Sequence, residues 1–236
     1  MKRSEINRIM SEGLNFIEKE NKFLLPAFAK WTPQDWQQKG EESADVVNQQ
    51  LGWDITDFGT EKFNEIGLLM FTIRNGSFEE LKKPNGKIYA EKAMIVQEEQ
   101  VTPIHFHYQK MEDIINRGGG NLVVQLWNSL PDEELDLVTD VTVSIDAIKV
   151  TVPAGGKITL KPGESVCLAQ LLYHKFWGEK GTGTIFVGEV SRVNDDYVDN
   201  HFYGGVGRFA DIEEDVEPLY LLYGDYQNYF MCKPKN

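Results

Sequence analysis

The chain has 236 residues, 41% of them hydrophobic and 26% charged, and a net charge of −13. That length can bury one substantial core with a helical extension, and the composition is that of an ordinary globular protein. The acidic balance argues against nucleic acid and anionic membrane surfaces, which need a basic face, and leaves a small neutral molecule as the easiest substrate to reconcile with it.

Along the chain, residues 4–20 place Ile6, Ile9, Met10, Leu14 and Ile17 at three- and four-residue spacing, which predicts a helix. This N-terminus is charged and amphipathic, without the apolar centre of a signal peptide. No apolar run approaches the length of a membrane span, so no membrane partner and a cytoplasmic location are expected. A second, short helix is expected after Thr32-Pro33, with Thr32 as the cap and Pro33 in the first turn. Residues 1–65 therefore read as a helical arm packing on the remainder.

From Gly67 the texture changes to short β-rich runs at Leu68–Ile73, Lys92–Val96, Leu122–Trp127, Val141–Val152, Ser165–Leu172 and Thr184–Val190. Turn signals separate them, among them Asn75-Gly76, Gly118-Gly119-Gly120 and Pro162-Gly163. Many short strands without intervening helices predict an antiparallel sandwich or barrel over residues 66–236, with the C-terminal segment over its mouth. Cys167 lies in the apolar run Val166-Cys167-Leu168-Ala169 and reads as a buried thiol. Cys232 lies in the C-terminal tail. Neither has the neighbours of a nucleophile.

Three of the four histidines fall into one arrangement: His105 and His107, with Glu112 shortly after and His174 far along the chain. Side chains alternate along a strand, so His105 and His107 point the same way. Glu112 can return to that face after a turn, and a distant strand can supply His174. Three imidazoles and a carboxylate leave open positions on a divalent ion and suit Mn, Fe, Co, Ni or Zn. A His-x-His pair alone also occurs as ordinary hydrogen-bonded strand histidines.

The His105-x-His107-x4-Glu112 segment, followed by Gly119, resembles the first motif of the cupin superfamily, a double-stranded β-helix jelly roll. It departs from that motif where Glu99 replaces the usual glycine. Pro162-Gly163 resembles the turn of the second motif, with His174 further on than is usual. More specifically, the chain resembles the D-lyxose isomerases over most of its length. The resemblance rests on the helical N-terminus, His105 to Asp113, Tyr173 to Gly178, Gly188 to Ser191, and Gly207-Arg208-Phe209 leading into Ile212 to Asp215. It implies a jelly-roll barrel with an N-terminal helical extension, and aldose–ketose isomerisation of D-lyxose, with D-mannose as a second substrate. It also implies a divalent metal, typically manganese, bound by His105, His107, Glu112 and His174.

Such a reaction needs a metal to polarise O1 and O2, and groups that move a proton between C2 and C1. Lys110, between the histidine pair and Glu112, can donate to a substrate oxygen; a solvated surface lysine is the plainer reading. Glu189, Asp211, Glu213 and Glu214 are the candidate bases, with Glu213 preferred because its stretch follows the last barrel strand and can fold across the mouth. Arg208 is expected to bind sugar hydroxyls or to orient the base carboxylate through a bidentate pair, with a structural ion pair as the alternative. Trp177 is expected to offer its ring face to sugar C–H groups. His201 fits no ligand spacing and reads as structural or substrate-adjacent. A cupin iron dioxygenase, a non-catalytic sugar-binding cupin and, less well, a metal-free sugar epimerase use similar sites. A homodimer is expected, through edge strands or the apolar face of the N-terminal helix.

Overall fold

A computed structural model describes residues 1–230; Cys232 lies outside the described residues. The apolar spacing near the N-terminus forms helix α1 (Arg3–Asn15), which runs on into a π-helical turn over Phe16–Glu20. Helix α2 (Pro33–Gln37) starts as expected: Thr32 Oγ1 accepts from the Asp35 amide at 3.2 Å, and the Asp35 carboxylate accepts from the Thr32 amide at 2.8 Å. Helix α3 (Ala44–Asn48) follows.

The stretch read as a helical arm also contributes a strand, β1 (Gly52–Thr56), which is buried along its whole length. Strands β2 (Leu68–Arg74), β3 (Tyr89–Val96), β4 (Val101–His107), β5 (Glu112–Gly119), β6 (Leu122–Ser129) and β7 (Leu135–Asp136) come next. They are followed by β8 (Val141–Ile145), β9 (Ile148–Val152), β10 (Lys157–Leu160), β11 (Ser165–Leu168), β12 (Leu172–Gly178), β13 (Ile185–Arg192) and β14 (Asn200–Phe202).

All pairings between these strands are antiparallel. One sheet has the order β1-β2-β3-β13-β5-β11-β8-β9, the other β10-β6-β12-β4-β14, with β7 beside β6. Inward side chains of both sheets, such as Met70, Met94, Leu122, Val124 and Phe176, form one core between them. Strand alternation dictates this: Leu68 and Met70 face that core, while Leu69, Phe71 and Ile73 face the opposite way. The outer layer packs against Ile6, Ile9, Met10 and Ile17, so the apolar face of α1 covers its own sheet. A Cβ at Gly13 would lie 2.4 Å from Leu69 Cδ2, which shows how closely the helix approaches.

Two expected runs are each broken by a turn. Val141–Val152 is a hairpin, with Asp146 and Ala147 at φ 47° and 67° between β8 and β9. The run from Ser165 ends at Leu168, and Leu171, at φ 60°, turns the chain into β12. Apolar residues at both turns hide them from composition. Gly119 has φ 90°, and a Cβ there would meet the Thr184 carbonyl oxygen at 2.1 Å. Glu99 adopts a left-handed φ of 59° without being glycine. Cys167 is only half-buried, where full burial was expected.

Candidate active site

Strand pairing assembles the site. On β4 and β12, His105 lies opposite His174, with His107 two residues along on the same face. On the other side of β4, Asn200 lies opposite His107 and Phe202 opposite His105. From the facing sheet, β5 presents Glu112 and β13 presents Glu189, with Lys92 of β3 directly opposite Glu189. The side chains converge on one cavity whose apolar floor includes Leu68, Met70, Met94 and Phe176.

The candidate ligand atoms of His105, His107 and His174 all lie within 4.8 Å of one another. His105 Nδ1 is 2.7 Å from the Pro103 carbonyl oxygen and His174 Nδ1 is 2.9 Å from that of Leu172. A proton on each Nδ1 leaves Nε2 with a free lone pair. Glu112 Oε1 stands 3.4 Å from His107 Nε2 and 3.2 Å from His174 Nε2. With the proton on Nδ1, His174 Nε2 and Glu112 Oε1 face each other as two acceptors, and Nε2 is buried without a hydrogen-bond partner among the described residues. Burial holds the His105 and His107 pKa values below the usual histidine range, reinforced at His105 by His174 and at His107 by Lys110. Three imidazoles and a carboxylate whose lone pairs crowd together make a donor set that fits a divalent cation.

Lys110 is buried, with its side chain 2% exposed, which removes the solvated reading. Its Nζ lies 2.6 Å from Glu112 Oε2 and 3.0 Å from Glu189 Oε1. Burial alone would lower its pKa, but the two carboxylates outweigh it and hold the ammonium above the ordinary lysine range. For Glu112, burial pushes the pKa up, but Lys110 and His107 keep it well below the usual carboxylate range. Glu189 Oε1 also accepts from Ser191 Oγ at 2.8 Å, while Oε2 has only Lys92 Nζ, 3.7 Å away. Arg208 lines the cavity, its Nη2 donating to Asp54 at 2.5 Å and to Asp196 at 2.6 Å; its buried Nη1 has no hydrogen-bond partner among the described residues.

Other expected site residues lie elsewhere. Glu213 is 67% exposed and 3.9 Å from Lys2; its backbone bonds to Met1 and Arg3. Glu214 pairs with Arg3, and the Asp211 carbonyl accepts from the N-terminal amine. The acidic run is thus tied to the start of α1 and does not cross the mouth. Of the four candidate bases, Glu189 is the one lining the cavity. Trp177 alternates with the inward Phe176 and lies outside the cavity, with the Lys157 and Lys175 ammonium groups 5.3 and 5.2 Å from its ring. His201 alternates with Phe202 and stacks on Phe106 at 4.8 Å. Lys92, Thr102, Asp196 and Asn200, none singled out in the sequence, also line the cavity. Lys92 had a readable signal: it occupies the same strand face as Met94 and Val96 would by alternation at even positions, a lysine set among buried neighbours.

A solved structure of L-ribose isomerase from Cellulomonas parahominis with L-psicose matches with a TM-score of 0.60 at 15% identity, covering 90% of this chain and 98% of that one. That likeness shows the fold, a cupin-type barrel. In sequence, a D-lyxose/D-mannose isomerase from Serratia proteamaculans is 48% identical over 227 residues, covering 96% of this chain and 98% of the relative. Another from Escherichia coli O157:H7 is 46% identical over 230 residues, covering 97% of this chain and 100% of the relative. Barrel and relatives together define a cupin-type sugar isomerase, working between aldose and ketose. A family model described as D-lyxose isomerase matches residues 1–226, and the chain belongs to that family.

Proposed function

We propose that this chain interconverts D-lyxose with D-xylulose, and D-mannose with D-fructose, in the cavity between β4, β12, β5 and β13. The observation that carries the reading is a cluster of three histidines able to hold a metal ion, with Glu112 within 3.4 Å of two of them and a buried Lys110 bridging Glu112 and Glu189. His105, His107, Glu112 and His174 would hold a divalent ion, with Mn²⁺ as the proposed occupant and Co²⁺, Fe²⁺, Ni²⁺ or Zn²⁺ compatible with the same donors. When bound, it supplies Lewis-acid polarisation of the carbonyl and acidifies the neighbouring hydroxyl.

The role considered for Glu213 passes in this proposal to Glu189. Its Oε1 is occupied by Lys110 and Ser191, which fixes the carboxylate and leaves Oε2 to take the C2 proton and return it to C1. Lys110, kept charged by two carboxylates, donates to the oxygen that gains negative charge as the proton leaves. Arg208 Nη1 donates to a hydroxyl further along the sugar. The apolar floor faces sugar carbon atoms in place of Trp177. The proposal includes a homodimer formed through an open sheet edge such as β9, and residence in the cytoplasm; sedimentation tests the former and cell fractionation the latter.

Metal-stripped protein, incubated anaerobically with D-lyxose or D-mannose with and without Mn²⁺, is expected to form ketose only with metal. His105→Ala is expected to abolish it. Protein that carries metal at the site and forms no ketose with any divalent ion would overturn the proposal.

A further inference from the structure

Asn200 stands apart from the groups given a role so far. Its Nδ2 donates to the Asp196 carbonyl oxygen at 3.2 Å and lies 3.3 Å from Asp196 Oδ1. With both acceptors on one side, the amide nitrogen is committed there and Oδ1 must point the other way. That oxygen is buried, has no hydrogen-bond partner among the described residues, and belongs to a residue lining the cavity beside His107. A buried acceptor without a donor is costly and calls for an explanation. The complementary case is Arg208 Nη1, a buried donor without an acceptor. One side chain orients both groups: Asp196 takes Arg208 Nη2 on Oδ2 and Asn194 Nδ2, at 2.8 Å, and Asn200 on Oδ1.

We propose that Asn200 is a specificity-determining residue whose Oδ1 accepts a hydrogen bond from a sugar hydroxyl beyond C2, its amide nitrogen being held by the Asp196 carbonyl and carboxylate. This rests on the isomerase reading above. The chemistry limits which hydroxyl it can be. An amide oxygen has no proton to give, so it suits a hydroxyl that stays protonated throughout, unlike the oxygens on C1 and C2, which exchange carbonyl and hydroxyl character. The site then takes polyhydroxy chains that carry a hydroxyl at the matching carbon and discriminates against those that lack it.

The test uses the full chain, loaded with Mn²⁺, and calorimetric binding of an open-chain pentitol and of its analogues lacking one hydroxyl beyond C2. The parent protein is expected to bind one analogue about tenfold more weakly than the pentitol, the worth of one neutral hydrogen bond. Asn200→Ala is expected to bind the pentitol about tenfold more weakly and to lose discrimination at that one carbon, keeping the other penalties. Asn200→Leu, nearly isosteric but without the acceptor oxygen, should lose the same discrimination, and it carries the test should Asn200→Ala not fold by circular dichroism. Unchanged penalties at every carbon in the folded variants would overturn the assignment. Parallel ketose assays separate the two readings: a parent protein that turns over no aldose defeats the proposed function, whereas turnover with unchanged discrimination defeats this inference alone.

Discussion

Glu189→Gln separates the acid–base role from the fold more cleanly than any other substitution in the cavity. The glutamine carbonyl can keep the position of Oε1, with its bonds from Lys110 Nζ at 3.0 Å and Ser191 Oγ at 2.8 Å. The new NH₂ falls where Oε2 stood, facing Lys92, which still has Asp196 Oδ1 at 3.7 Å; Lys110 still has Glu112 at 2.6 Å. No buried cation is stranded, so the stability cost should be about 1–2 kcal/mol, short of the roughly 3–5 kcal/mol of an abandoned buried charge. For a chain of this length that lowers Tm by about 2–8 °C. The catalytic loss is of another size: removing a positioned general base costs about 10²–10⁴ in kcat, or about 3–5 kcal/mol of barrier. Steady-state ketose formation should show that fall in kcat with KM nearly unchanged and metal content intact. Glu213→Gln, at an exposed position tied to the N-terminus, should leave kcat as it was. A Glu189→Gln enzyme within about threefold of the parent kcat would refute the base assignment.

Trp177→Ala should leave KM for the sugar within about twofold, because the ring lies outside the cavity among lysine side chains; a large rise in KM would bring the indole back into the site. Glu99→Gly should raise Tm by about 1–2 °C in a thermal melt, since relief of the left-handed φ outweighs the backbone entropy of glycine, and the exposed Lys180 pair contributes little. Burial, with Asp113 adding to it, pushes the Cys167 thiol up to about 11. Its alkylation at pH 8, followed by peptide mass mapping, should therefore run about tenfold slower than that of an ordinary thiol, the smaller thiolate fraction being partly offset by its higher nucleophilicity; labelling at the ordinary rate would contradict this. Burial raises the Asp196 pKa, but Arg208 and Lys92 outweigh it and hold the carboxyl well below its usual range. Its contribution to stability is whole above the unfolded value near about pH 4 and is lost as pH falls through the folded value. Denaturant melts from pH 5 to 3 should show a shallower decline for Asp196→Asn than for the parent.

Spacing was sufficient for whatever depends on local geometry. Alternation puts His105 and His107 on one face, three- and four-residue spacing makes α1, and Thr32-Pro33 starts α2, because each is decided within a few residues of backbone. The succession of short strands pointed to a sandwich or barrel and ligand chemistry pointed to Glu112 and His174; the whole-chain resemblance narrowed these to a cupin barrel and one ligand set, which periodicity alone cannot bring together. What only the tertiary structure decided is which of many similar side chains meet in the cavity. Glu189 and Glu213 are both glutamates late in the chain; alternation with Ile185 and Val187 puts Glu189 on the inward face of its strand, but only the pairing shows what it meets there. Pairing of β13 with β3 and β5 puts Glu189 against Lys110, whereas the acidic run carrying Glu213 is drawn to the cations at the start of α1. Trp177 and Phe176 differ by a single residue of strand phase, which directs one ring outward and the other onto the cavity floor. Asp196 and Asn200 lie in a loop and a short edge strand with no periodicity to read; local bonds tie Asn194, Asp196 and Asn200 together, but what aims the group into the cavity is Asp196 meeting Arg208 and Lys92, which only the folded chain brings there.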